Sequence, residues 1–194
     1  MKLLHVDSSI QADSSASRAI TSEIVKQFRA RDPGLEIDYR DLAAAPLPHL
    51  SFAGLATPEA QAVLEDFLAA DIVVIGAPMY NFTVSSQLKA WLDHILIAGR
   101  TFSYGPEGVT GLAGGKRVVV ALSRGGLYSE GMPGAANEHA ETYLRAVLGF
   151  IGIADPEFIV AEGVALGPDQ RQAALEAALA RSAPVAGSVL ARAA

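Results

Sequence analysis

Two short runs constrain the fold of this chain more than anything else in it: Asp71-Ile72-Val73-Val74-Ile75 and Arg117-Val118-Val119-Val120-Ala121-Leu122. Each is rich in β-branched residues and nearly free of polar atoms inside, the pattern of a strand covered on both faces. Strands of that kind form the middle of parallel sheets, where neighbours are joined by crossover connections that are usually helical. The first run leads into Gly76-Ala77-Pro78-Met79-Tyr80-Asn81-Phe82. Gly76 and Pro78 are expected to end its ladder there, since glycine admits unusual φ and proline has no N–H to donate.

The remaining segments alternate as βαβ units require. A first strand covers Lys2–Asp7, and a polar loop, residues 8–17, opens into a helix from about Ser17 to Arg31 with Ile20, Ile24, Val25 and Phe28 on one face. Asp32-Pro33-Gly34 ends that helix. Leu35–Arg40 alternates apolar and charged residues, as an edge strand does. Residues 43–56 read as a meandering loop. Pro58 starts a helix at its first position and carries it to about Ala70. Val84, Leu88, Trp91, Leu92, Ile95 and Leu96 fall at helical spacing and predict a helix from Ser85 to Ile97. Residues 101–104 are a short excursion strand, and the glycine-rich stretch 105–115 is expected to be loop. Helix over 138–148, strand over 157–161 and a closing helix from Asp169 to about Leu190, interrupted or ended near Pro184, complete the chain. The fold class is therefore α/β: a doubly wound five-stranded parallel sheet in the order 2-1-3-4-5, flanked by helices.

Composition narrows the function. The 194 residues suffice for one sizeable core with no linker dividing it, so residues 1–194 are expected to form a single domain. With 15 basic and 21 acidic residues the net charge is −6, and the basic residues do not cluster, which disfavours nucleic acid as a partner. The absence of cysteine excludes disulfides, thiolate metal sites and a cysteine nucleophile. The chain starts almost at once on a strand, and no apolar run approaches a membrane span, so a soluble cytoplasmic protein is expected. His5, His49 and His139 lack metal-ligand spacing, and no metal is expected. His94 and Asp93 read as residues on the face of an amphipathic helix, and Trp91 as part of its core stripe. Asp7 ends the first strand without the acidic neighbour that a magnesium site would need.

Chemistry concentrates in the loops after the first, third and fourth strands, where open α/β sheets hold their ligands. The first, Ser8 to Ser17, offers hydroxyls and free N–H groups at a helix N-terminus, which suit a phosphate. The same serines would also serve as plain caps and turns. Neither GxGxxG nor GxxxxGK[ST] is present, which argues against the commonest dinucleotide and triphosphate cradles. The second loop is Met79–Phe82. The third is Ser123-Arg124-Gly125-Gly126, whose paired glycines let the backbone approach a flat ligand. A mononucleotide with an aromatic ring fits this layout, phosphate on the first loop and ring between the other two.

These residues are shared with a known family. Ser9 with Ser15-Ala16-Ser17, Met79–Phe82 and Ser123–Gly126 carry the likeness, and residues 86–94, 105–108, 148–152 and 161–163 extend it along nearly the whole chain. The chain resembles the bacterial FMN-dependent NADH-azoreductases and NADH:quinone oxidoreductases, which have a flavodoxin-like fold. It departs from their usual pattern by a shorter segment around residues 47–56 and near Tyr104.

The resemblance implies one FMN per subunit, reduced by NADH, in a homodimer. Ser9, Ser15, Ala16 and Ser17 would hold the phosphate. Met79, Tyr80, Asn81 and Phe82 would lie along the ring, with Ser123, Arg124, Gly125 and Gly126 against it from the other loop. Phe102, Tyr104 and Phe150 would line the substrate side, although core or dimer packing accounts for aromatics equally well. No catalytic side chain is implied, because the flavin performs the redox chemistry. The implied reaction is a ping-pong transfer of two electrons from NADH to a quinone, or to an aromatic azo compound that is cleaved to amines. A flavodoxin-type electron carrier without a substrate pocket is the alternative.

Overall fold

The computed structural model describes residues 1–191. Its elements are β1 (Lys2–Asp7), α1 (Ala16–Arg31), β2 (Glu36–Asp41), α2 (Pro58–Ala69), β3 (Ile72–Tyr80), β4 (Thr83–Val84), α3 (Ser86–Ile95), β5 (Phe102–Gly105), β6 (Gly108–Gly111), β7 (Arg117–Arg124), α4 (Ala140–Phe150), β8 (Glu157–Glu162) and α5 (Pro168–Ala191). The parallel sheet runs β2-β1-β3-β7-β8, the 2-1-3-4-5 order expected, with β2 at an edge.

Alternation along the central strands divides the core in two. Val73, Ile75 and Ala77 of β3 and Val118, Val120 and Leu122 of β7 face α2, α3 and α4, where Phe67, Leu88, Trp91, Leu92, Leu144 and Leu148 are buried. Ile72, Val74, Val119 and Ala121 face α1 and α5, against Ile20, Ile24, Phe28, Ala178 and Val185. Each fully buried aliphatic side chain contributes about 1.5–3 kcal/mol of transfer free energy, which explains why both central strands read as unbroken apolar runs. Trp91 meets Phe67 edge-on at 5.9 Å between ring centroids.

Three expectations need correction. The ladder of β3 does not stop at Gly76. It continues opposite β7 as far as the pair Pro78↔Ser123. Asp7, opposite Gly76, is the last β1 residue to pair with β3, so at Pro78 the strand has a neighbour on one side only, and a residue without N–H is tolerated. Gly76 is required for a different reason: a Cβ there would collide with the carboxylate of Asp7. Within the glycine-rich stretch 105–115, expected to be loop, Gly105 ends β5 and Gly108–Gly111 form β6, the second strand of an antiparallel hairpin, while residues 112–115 lie outside any strand. Finally, α5 passes through Pro184 uninterrupted. Pro184 costs a helix about 3 kcal/mol, and the packing of Val185, Ala186 and Val189 against the core offsets it. Arg31 Nη2 also donates to the Ala183 carbonyl at 3.0 Å.

No helix among the described residues is long and apolar enough to cross a membrane.

Candidate functional site

The parallel register brings the ends of β1, β3 and β7 to one edge of the sheet, and their loops are cross-linked. Ser8 Oγ donates to the Gly76 carbonyl at 2.8 Å. The Tyr80 hydroxyl lies 3.1 Å from Ser9 Oγ and accepts the Ile10 N–H at 3.2 Å, so the second loop clasps the first. Phe82 meets Tyr128 edge-on at 6.4 Å, joining the second loop to the third.

In the first loop, Ser15 caps α1 by accepting the Arg18 N–H at 3.3 Å, and its hydroxyl lies 3.1 Å from that of Ser17. The first bond from within α1 is Ala19 N–H to the Ser15 carbonyl. The N–H groups of Ala16 and Ser17 precede it, and among the described residues no group accepts from them. Both residues are buried, and the first turn of α1 holds no acidic side chain. Buried N–H donors at the positive end of a helix dipole, beside serine hydroxyls, suit a phosphate. The loop is pinned at both ends: Arg18 donates twice to the Ser9 carbonyl, and Arg171 of α5 donates to the Ser14 carbonyl.

The second loop is a two-residue hairpin between β3 and β4, with Met79↔Val84 and Tyr80↔Thr83 paired. Asn81 and Phe82 both have positive φ, 47° and 74°. Asparagine tolerates that region, but phenylalanine does so only under strain of about 1–3 kcal/mol, and such strain concentrates at functional sites. The turn is held by the His139 N–H, which donates to the Phe82 carbonyl at 3.0 Å, leaving both side chains exposed.

The third loop is fixed from below. The carbonyls of Arg124, Gly125 and Gly126 accept from Val164, Ala165 and Gly163. Glu162 at the end of β8 accepts the N–H groups of Tyr128 and Ser129, and its other oxygen accepts the Ser129 hydroxyl at 2.8 Å. Burial pushes the Glu162 carboxyl up, but these bonds and the Arg124 charge outweigh it and hold the group below the ordinary glutamate value. The Arg124 side chain is buried among Glu138, Glu141 and Glu162 at 3.3, 2.8 and 3.5 Å. Its two terminal nitrogens are thus committed to the loop's own support, while its Nε is buried without a hydrogen-bond partner among the described residues.

Two of the concavities that border these loops bear on a ligand. A cleft of about 810 Å³ runs from Ile10 across Met79, Tyr80 and Asn81 to Lys89 and Tyr143. A smaller one of about 410 Å³ is bounded by Phe82, Gly126, Tyr128 and Leu166. Volumes of this size admit a small heteroaromatic ligand. The twelve residues expected to bind a cofactor, Ser9, Ser15, Ala16, Ser17, Met79–Phe82 and Ser123–Gly126, are thus gathered at one sheet edge. Donors for a phosphate lie at one end and an aromatic, glycine-lined face at the other, which fits a flavin mononucleotide.

Phe102, Tyr104 and Phe150 form a cluster of their own, with ring centroids 5.5 Å and 4.7 Å from Phe102. They are not part of this edge. Helix α4 starts beside Phe82 and runs about 16 Å, at 1.5 Å per residue, before it reaches Phe150. The cluster sits at the opposite end of the sheet, where the Ala113 N–H donates to the Ile151 carbonyl at 2.8 Å.

Of the blander expectations, Asp93 is a surface carboxylate paired with Lys89 at 2.5 Å. His94 is buried rather than on an open face, its Nδ1 2.8 Å from the Ala90 carbonyl. Sequence reasoning missed Arg18, Asp41, Tyr128 and Glu162, whose roles are to hold the loops. One signal was available for the Arg18–Asp41 pair: parallel pairing puts Asp41 opposite Asp7, at the site edge.

A family model described as flavodoxin-like fold matches residues 1–184. The FMN-dependent NADH:quinone oxidoreductase of Methylorubrum extorquens (strain PA1) is 62% identical, covering 92% of this chain and 96% of that protein. Among solved structures, an azoreductase from Bacillus anthracis strain Sterne superposes with a TM-score of 0.88 at 30% identity, covering 97% of this chain and 99% of the other. An FMN-dependent NADH-azoreductase from Bacillus anthracis strain Ames Ancestor, solved in complex with FMN, gives 0.86 at 25% identity, over 96% and 98%. The chain belongs to the flavodoxin-like fold family, among the FMN-dependent NADH:quinone oxidoreductases.

Proposed function

We propose that this chain is an FMN-dependent NADH:quinone oxidoreductase that also reduces aromatic azo compounds. The observation that carries this reading is the gathering of three cross-linked loops at one sheet edge, with the unpartnered N–H groups of Ala16 and Ser17 at its phosphate end. FMN, when bound, supplies two-electron redox chemistry: it accepts a hydride from NADH and passes two electrons to the acceptor. In the balanced reaction NADH, one proton and a quinone give NAD⁺ and a hydroquinone. Cleavage of an azo bond to two amines consumes two NADH and two protons.

The protein's own residues bind and orient. Ser9, Ser15, Ala16 and Ser17 hold the phosphate by hydroxyls and backbone N–H groups. Met79, Tyr80, Asn81 and Phe82 form one wall for the ring. Ser123, Arg124, Gly125 and Gly126 meet it with backbone, and N–H donors on that loop steady negative charge that develops on the ring. Stacking donor or acceptor at about 3–3.5 Å replaces a bimolecular search.

Phe102, Tyr104 and Phe150 reach a ring only from a second copy of the chain, because they lie at the far end of their own sheet. We therefore take the protein as a homodimer of single-domain subunits in which each copy's aromatic cluster covers the other's substrate side. The exposure of Tyr104, 73%, and of Val109 and Leu112 beside it supports this arrangement.

Steady-state kinetics test the reading. With FMN present, double-reciprocal plots for NADH at several benzoquinone concentrations are expected to be parallel, the mark of a shared site used in turn. Intersecting lines, or no turnover, contradict it.

A further inference from the structure

The side chain of Arg18 stands next to the phosphate end of the site, yet it is not free to bind a phosphate. A guanidinium has five N–H donors, and here all are engaged. Nε and Nη2 donate to the Ser9 carbonyl at 3.3 and 2.9 Å. Nη2 and Nη1 fork onto the two oxygens of Asp41 at 2.7 and 2.8 Å, and Nη1 also donates to the Tyr39 hydroxyl at 3.0 Å.

Every partner is itself fixed. Asp41 Oδ1 accepts the N–H groups of Ala43 and Ala44. Tyr39 donates to Asp7 at 3.2 Å, and Asp7 also accepts from Thr21 of α1 at 2.9 Å. The guanidinium thus ties the first loop to the end of β2 and the first turns of α1, with its charge balanced by Asp41.

We propose that Arg18 is a positioning residue that sets selectivity for the phosphate of the flavin. Its fork grips the Ser9 carbonyl and holds the loop from Ser8 to Ser17 in the shape that presents the hydroxyls and the Ala16 and Ser17 N–H groups to a phosphate. A lysine carries the same charge but lacks the planar fork, so it cannot hold Ser9 and both Asp41 oxygens together. The inference rests on the FMN reading and deepens it. Arg18 acts on the phosphate end alone, so it governs discrimination between FMN and riboflavin, which differ by that phosphate, and leaves recognition of the ring untouched.

The test uses the full-length apoprotein and the variants Arg18→Lys, Arg18→Met and Asp41→Asn, with Kd measured for FMN and for riboflavin by flavin fluorescence quenching. Unfolding midpoints and circular dichroism establish that each variant is folded, and R18K and D41N carry the test if R18M is not. Wild type is expected to prefer FMN. In the variants the FMN Kd is expected to rise by at least about tenfold, equivalent to losing one charge-assisted hydrogen bond, while the riboflavin Kd stays within about threefold, so the ratio collapses. Equal weakening of both flavins in folded variants, or no weakening, overturns the proposal. A wild type that binds no FMN overturns the FMN reading itself and this inference with it.

Discussion

Asp41 shows how a single carboxylate at the rim of the site is tied to stability as well as to binding. Two hydrogen bonds from Arg18 lower its pKa from 3.8 to about 2, against the opposing effect of burial, with help from the Ala44 and Ala43 N–H groups. The same pairing raises the pKa of Arg18, which stays charged throughout. A folded-state pKa below the unfolded value stabilises the fold above the unfolded pKa and loses that contribution as pH falls through the folded one. Replacing Asp41 with asparagine is therefore expected to lower unfolding free energy by about 1–2 kcal/mol at pH 7, part of the full linkage value being screened by solvent. The gap should narrow as pH falls from about 4 towards 2. Urea unfolding of both proteins across that range checks this, and a constant gap contradicts it. Phe82 is the counterpart without charge. Its positive φ is held by one bond from His139, so the exposed ring is displayed at an energetic cost that packing elsewhere offsets.

At the scale of elements, what was legible in the sequence follows how local each signal is. β3, β7, α1 and α3 announce themselves through apolar period and caps, because burial on both faces of the sheet or one face of a helix writes directly into residue type. The three site loops were legible for the same reason: they begin where an apolar run ends. Signals that depend on a distant neighbour were not. Gly76 reads as a strand breaker until Asp7 is seen beside it, and Pro78 until β1 is seen to have ended. Arg124 reads as one of the residues set against the ring, although Glu138, Glu141 and Glu162, all later in the chain, enclose its side chain. The hairpin β5–β6 was hidden because its last glycine, Gly111, serves close approach to the chain just after α4. A Cβ on Gly111 would collide with the backbone of Ile151 and Gly152, which cannot turn aside as a side chain could. Gly111→Ala is expected to cost about 1–3 kcal/mol. It should also raise amide hydrogen exchange in residues 102–111. Unchanged midpoint and exchange would show that the contact is not needed to dock the hairpin.

For the whole molecule, the sheet works as a scaffold whose two ends carry different features. Its carboxyl edge carries the three loops, and its opposite end carries the aromatic cluster of Phe102, Tyr104 and Phe150. In the proposed homodimer, the aromatic cluster of one copy covers the three loops of the other. The central strands β1, β3 and β7 set the spacing of the three loops. The loops are braced by Arg18, Glu162 and His139 rather than left to the ligand to order, so binding costs less conformational entropy. The central claim is that this edge holds an FMN that takes two electrons from NADH and gives two to a quinone. An anaerobic titration of the FMN-loaded protein tests it most directly: NADH first, then benzoquinone, followed by the flavin absorbance. Complete bleaching by one equivalent of NADH and complete recovery with one equivalent of benzoquinone is the predicted result. Flavin that binds but stays oxidised in excess NADH, or that is reduced and not reoxidised by the quinone, would contradict it.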